Sequence, residues 1–160
     1  MSIAVTSQQI LQLGLENLRA SIIRRSRDAG QEASGETYAS IRVEGVTETH
    51  GELWGPTWIA VLEDGRRPGK IPYEFADRIM EWAAFKGISW ASADPVLFER
   101  WARGVAWNIA RHGTKLYRSG QKIDIFETPV ADFEKWLTAK MKEFYAAYVA
   151  NEIRTAWQNG

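Results

Sequence analysis

Apolar positions recur at helical spacing in the first third of the chain. Leu11, Leu15, Leu18 and Ile22 follow at steps of four and three residues and lay one apolar stripe along a helix. Thr6 and Gln9 have the spacing of a capping box at its start. Arg19, Arg24, Arg25 and Arg27 crowd its C-terminal half, where cations suit the negative end of the helix dipole, and Gly30 is the expected stop. Residues Gln31 to Ser40 read as a polar connection.

The period then changes from helical to alternating. Ile41 and Val43 alternate with Arg42 and Glu44, the pattern of a half-buried strand, with Gly45 as a bulge and Thr47 to Gly51 as a turn. Glu52 to Leu62 predicts a second strand, followed by a strand or a short helix that ends at Glu63. Gly65, Pro68 and Gly69 make the segment DGRRPGK a loop.

Helical spacing returns after Pro72. Phe75, Ile79 and Trp82 form a stripe that Gly87 closes. Asp94 and Pro95 read as an N-cap and first-turn proline, and the helix they open places Leu97, Trp101 and Val105 on one face and ends at Gly113. Ile123, Ile125 and Phe126 suggest a short edge strand. Thr128 and Pro129 open a long last helix, with Phe133, Leu137, Phe144 and Tyr148 along one face almost to the terminus. The expected fold is α+β: an N-terminal helix, a small antiparallel sheet, helices packed on it and a long C-terminal helix. No repeat or linker interrupts residues 1–160, so one domain is expected.

Composition narrows the function classes. Basic and acidic residues balance at 20 each, which does not favour long-range capture of nucleic acid or an anionic membrane by the whole chain. Without cysteine there is no disulfide, thiolate nucleophile or cysteine-held zinc. Two histidines make a histidine-rich metal site an unpromising reading, and no cofactor is implied. No secretory signal is visible in Met1 to Gln9, and no apolar run approaches the roughly 20 residues that span a bilayer. Eight tryptophans are many for 160 residues, and some are expected to face another chain, because tryptophan concentrates at interface anchors.

Three stretches carry a resemblance. They are Ser34 to Ile41 (SGETYASI), Leu62 to Lys70 (LEDGRRPGK, with Pro72, Trp82 and Lys86-Gly87-Ile88 behind it), and Ile109 to Arg118 (IARHGTKLYR, followed by Asp124-Ile125-Phe126). In this order they resemble the siphophage tail-completion and head–tail joining proteins, also called neck or minor tail proteins. Trp58, Glu63 and Gly65 correspond to an aromatic residue, an acid and a glycine ahead of a loop in that family. Thr37 and Tyr38 depart from its usual pattern, and so does the long final helix. The resemblance implies a non-enzymatic virion protein, assembled in the host cytoplasm into a homo-oligomeric, often hexameric, ring. Such a ring sits between the head connector or stopper and the tail terminator or tail tube, and DNA passes through its lumen. It needs heterologous contacts, in which one patch meets a different patch on the next copy.

Candidate contact residues follow from chemistry. Arg66 and Arg67, beside Glu63 and Lys70, are placed to pair with carboxylates of a neighbour, since guanidinium makes paired bonds to a carboxylate. The loop is no phosphate-binding P-loop, because Gly65 and Gly69 are too close together and Ile71 follows the lysine. Arg111, Lys115 and Arg118 belong to an acid-free run from Arg100 to Lys122 that also holds Trp101, Trp107 and Tyr117. Docking on an acidic neighbour is the leading reading of that run, and nucleic-acid binding is the alternative. Tyr145, Tyr148, Val149, Ile153 and Trp157 extend the last helix's apolar band towards its free end, where it is expected to meet an adjacent subunit or the tail tube. A hydrolase built on Glu63 and Asp64 is the weakest alternative, because acids adjacent in sequence usually point apart. His112, at a helix end, and Ser34, Ser40 and Ser119, without a nucleophile elbow, give no catalytic constellation.

Overall fold

The computed structural model describes residues 5–31, 35–88 and 94–158. Helix α1 (Ser7–Asp28) starts on the expected capping box. The Thr6 amide donates to Gln9 Oε1 at 2.9 Å, and the Gln9 amide donates to Thr6 Oγ1 at 3.2 Å. Leu11, Leu15, Leu18 and Ile22 are all buried, with Ile10 beside them. The helix closes in a Schellman turn. Gly30 adopts φ 70°, its amide reaches Arg27 O at 2.8 Å, and the Gln31 amide reaches Ser26 O at 3.1 Å.

The chain forms two compact units, each discontinuous in sequence. The first holds α1 up to Arg25, residues Ser40–Gly55 and everything from Ile125 onwards. Its sheet is a hairpin of β1 (Arg42–Glu44) and β2 (Glu52–Trp54), paired antiparallel with Val43 opposite Leu53. Val43 and Leu53 are half-buried, while Arg42, Glu44 and Trp54 are exposed, as the alternation predicts. The hairpin is fastened to α1 where the Arg19 Nε donates to Ile41 O at 2.6 Å and the Gln8 side-chain Nε2 donates to Val46 O at 2.8 Å. The last helix, α7 (Glu127–Gln158), crosses α1 at Gly14. A Cβ there would lie 2.6 Å from the Trp136 ring, so only glycine admits the indole.

The second unit holds residues 26–39 and 56–124. Its helices are α2 (Glu36–Ala39), α3 (Val61–Asp64), α4 (Phe75–Phe85), α5 (Pro95–His112) and α6 (Lys115–Ser119). The Asp94 cap is as expected: its carboxylate accepts from the Val96 and Leu97 amides at 2.9 and 3.1 Å. Gly87 ends α4 in a second Schellman turn, with the Ile88 amide on Ala83 O at 3.1 Å. Within the first resemblance stretch, Tyr38 is buried and its hydroxyl meets Ser26 Oγ at 2.8 Å; Ser34 lies outside the described residues.

Several expectations are corrected. The predicted stripes bring Ile79, Phe75, Trp101 and Val105 to the α4–α5 contact, but its buried centre joins Ile79 to the small Ala102 and Ala106, which the stripes did not include. Small side chains let two helix backbones approach closely, so the bulky ones are pushed to the flanks. Trp101 and Val105 pack there half-buried, whereas Trp82 and Leu97 remain exposed. The segment after Glu52 forms β2 and, of the two expected continuations, the short helix α3, which ends at Asp64 rather than Glu63. The polar connection after α1 contains α2, and the basic segment after Gly113 contains α6. No edge strand forms at Ile123 to Phe126. The Ile123 amide instead donates to Glu63 O at 3.0 Å, and Ile125 is fully buried as the chain turns into α7. Alternating apolar residues make a strand only when another strand offers a ladder.

Candidate interface surfaces

The DGRRPGK loop is clipped to the end of α5. The Arg66 amide donates to Thr114 Oγ1 at 2.9 Å, and the Thr114 amide donates to Arg66 O at 2.9 Å. The Gly69 amide adds a bond to Ala110 O at 2.8 Å. Two glycines make this approach possible. Gly65 and Gly113 hold φ of 76° and 79°, and a Cβ on Gly65 would lie 2.5 Å from the Tyr117 nitrogen.

Arg66 turns inwards from this clip. Its Nη2 donates to Lys70 O at 2.6 Å and its guanidinium lies 5.1 Å above the Phe75 ring. Its Nε is buried and has no hydrogen-bond partner among the described residues. Arg66 therefore stiffens its own loop, while Arg67 and Lys70 are the exposed cations there. Glu63 is half-buried at the end of α3, where its carbonyl accepts from Ile123.

A shallow groove of about 510 Å³ runs along α5 to α6. Trp101, Val105 and Ile109 give it an apolar floor, and Lys115 and Arg118 stand at its α6 end. Gly104 lies in that floor, and a Cβ built on it would meet nothing within 4 Å. Arg118 is held by its Nη1, which donates to Asn108 Oδ1 and Gly113 O at 3.0 Å each. Arg111 lies 5.2 Å over Trp107, and both are exposed. The run from Arg100 to Lys122 is less cationic in space than in sequence. Arg103 donates to Glu99 at 2.6 Å, and Lys122 lies 3.4 Å from Asp64.

The second surface is the end of α7. Every residue from Tyr145 to Gln158 is exposed, and Trp157 reaches 85%. At about 100° per residue, Tyr145, Val149, Ile153 and Trp157 drift slowly around one side, and Tyr148 widens that side to about half the circumference. Glu152 falls inside this apolar arc, between Tyr148 and Tyr145. Asn151, Arg154 and Gln158 take the opposite side. Phe144 packs edge-on to Tyr145, with ring centres 5.1 Å apart, and stacks on Tyr148 at 6.4 Å. The aromatic rings are thus pre-arranged rather than loose.

No family model, curated protein or solved structure matches this chain. Among the described residues, no helix is long and apolar enough to cross a membrane.

The sequence-selected residues therefore fall into separate groups. Arg66, Arg67, Lys70, Arg111, Lys115 and Arg118 lie in the second unit, around the clip and the groove, together with Glu63. Tyr145, Tyr148 and Trp157 lie on α7 in the first unit. Of the tryptophans, Trp54, Trp58, Trp82, Trp107 and Trp157 are exposed, Trp101 and Trp136 are half-buried, and Trp90 lies outside the described residues. Sequence reasoning missed Thr114, which has no motif around it beyond the preceding glycine. It also missed the hairpin's polar face, where His50 Nε2 and Glu52 meet at 2.8 Å and Trp54 Nε1 donates to the same carboxylate. Those two contacts, His50 first, hold the Glu52 carboxyl below the ordinary carboxylate range.

Proposed function

We propose that this chain is a non-enzymatic structural subunit of a tailed bacteriophage. In this reading it forms a ring of identical copies at the neck or tail-completion position, joining the head connector to the tail tube around the passing DNA. The observation that carries the assembly role is the end of α7, an ordered helix whose Tyr145, Tyr148, Val149, Ile153 and Trp157 all stand in solvent. An exposed apolar patch of this kind marks a protein contact. The setting rests on the three resemblance stretches. The second and third of these are joined by the Arg66–Thr114 clip in one unit.

The test is sedimentation and negative-stain imaging of the purified chain. Rings of identical subunits are the expected result. A chain ending at Ala146 should keep its remaining helical signal and sediment as a monomer. Strict monomers of the full chain at every concentration, together with its absence from purified particles, would overturn the proposal.

A further inference from the structure

Resting on that reading, we infer that the end of α7 from one copy docks in the α5–α6 groove of the next copy. The lengths are compatible. Tyr145 to Gln158 spans about 20 Å of helix; the α5 residues that line the groove, Trp101 to Ile109, span about 12 Å, and the groove continues over Gly113 to Arg118.

The chemistry also agrees. The floor is apolar, as is the α7 arc. Glu152 is a lone carboxylate inside that arc and would be stranded if the arc were covered by an apolar surface. Lys115 and Arg118 supply the cations at the groove's end, and Arg118 is already held in place by Asn108 and Gly113. The pair Glu152–Arg118 would thus form with the arginine partly pre-ordered.

Gly104 supplies an independent sign. Glycine inside a helix is disfavoured, and among the described residues nothing lies within 4 Å of its missing side chain. Close approach of another helix gives that glycine a purpose. Each copy then has one tail and one groove, so contacts run head to tail and close into a ring or grow into a filament.

The test uses four full-length variants, each checked for native helical signal and melting. Glu152→Arg and Arg118→Glu should each weaken association at least about tenfold, as reversing one partner of a desolvated charge pair does. Mixed in equal amounts they should assemble again, because each tail then finds a complementary groove on the other variant. A contact made within one chain would not be rescued by mixing. Gly104→Leu should fold as before yet stay monomeric, since its side chain fills only the groove. Lys115→Glu repeats the reversal at an exposed position should Arg118→Glu fail to fold. Association unchanged in Glu152→Arg and Gly104→Leu overturns the docking mode while leaving ring formation itself intact. An unsubstituted chain that never associates overturns this docking mode, and its absence from purified particles as well overturns both.

Discussion

Arg66 and Thr114 hold each other from both sides of the backbone. The Arg66 amide donates to the Thr114 hydroxyl, and the Thr114 amide donates to the Arg66 carbonyl, at 2.9 Å each. The same hydroxyl accepts from the Tyr117 amide at 3.4 Å and so caps α6. One side chain thereby fixes a loop, a helix end and the rim of the groove.

Replacing Thr114 with alanine should therefore cost about 1–2 kcal/mol, the range for a lost cap or a partly buried hydrogen bond. Serine should recover most of it. Urea denaturation of the three chains measures this, and equal midpoints for alanine and threonine would refute the clip.

Two glycines separate backbone strain from crowding. Gly30 and Gly65 both hold positive φ, but a Cβ on Gly30 meets nothing, whereas one on Gly65 meets the Tyr117 nitrogen and the Thr114 hydroxyl. Gly30→Ala should cost about 1–2 kcal/mol, the penalty of the left-handed region. Gly65→Ala should cost clearly more. Thermal melting ranks the pair, and a reversed order would contradict the packing at the clip.

The α4–α5 contact should reject larger side chains. Ala102 is fully buried against Ile79 and Ala106. Ala102→Leu should destabilise by about 1–3 kcal/mol through overpacking. The same substitution at the exposed Ala139 of α7 should leave the denaturation midpoint nearly unchanged.

The hairpin should respond to acid. His50 and Trp54 hold the Glu52 carboxyl below its ordinary range. A depressed carboxyl contributes stability above its unfolded pKa, and that stability is lost as pH falls through the lower folded value. NMR titration of the Glu52 side chain should show a midpoint on the acid side of a free glutamate. The Trp54 indole signal should move with it and should lose that transition in Glu52→Gln.

Nucleic acid should bind weakly. Arg103 and Lys122 are engaged by Glu99 and Asp64, and Arg118 by its own unit. Gel shifts with duplex and single-stranded DNA at physiological salt should show no stable complex. A retained band whose affinity falls steeply with salt would restore the nucleic-acid reading of Arg100 to Lys122.

Local signals were legible along the chain because the physics behind them is local. The Thr6–Gln9 box, the Asp94 cap and the turns at Gly30 and Gly87 each bond groups only a few positions apart. The α1 stripe and the Val43 alternation likewise needed only a period and one covered face. The exposed band at the end of α7 could be read in the same way, as apolar helical spacing running towards a free end.

Tertiary structure alone decided which partner each residue met. Ile123 and Ile125 alternate like a strand, yet among the described residues no strand pairs with them, and the Ile123 amide goes to the end of α3. Trp82 and Leu97 hold core positions by spacing yet stay exposed, while the small Ala102 and Ala106 of α5 join Ile79 at the buried centre. Arg66 reads as an outward cation, yet Thr114, 48 residues away, turns its loop back on itself. Periodicity states that a face is covered; only the folded chain supplies the surface that covers it.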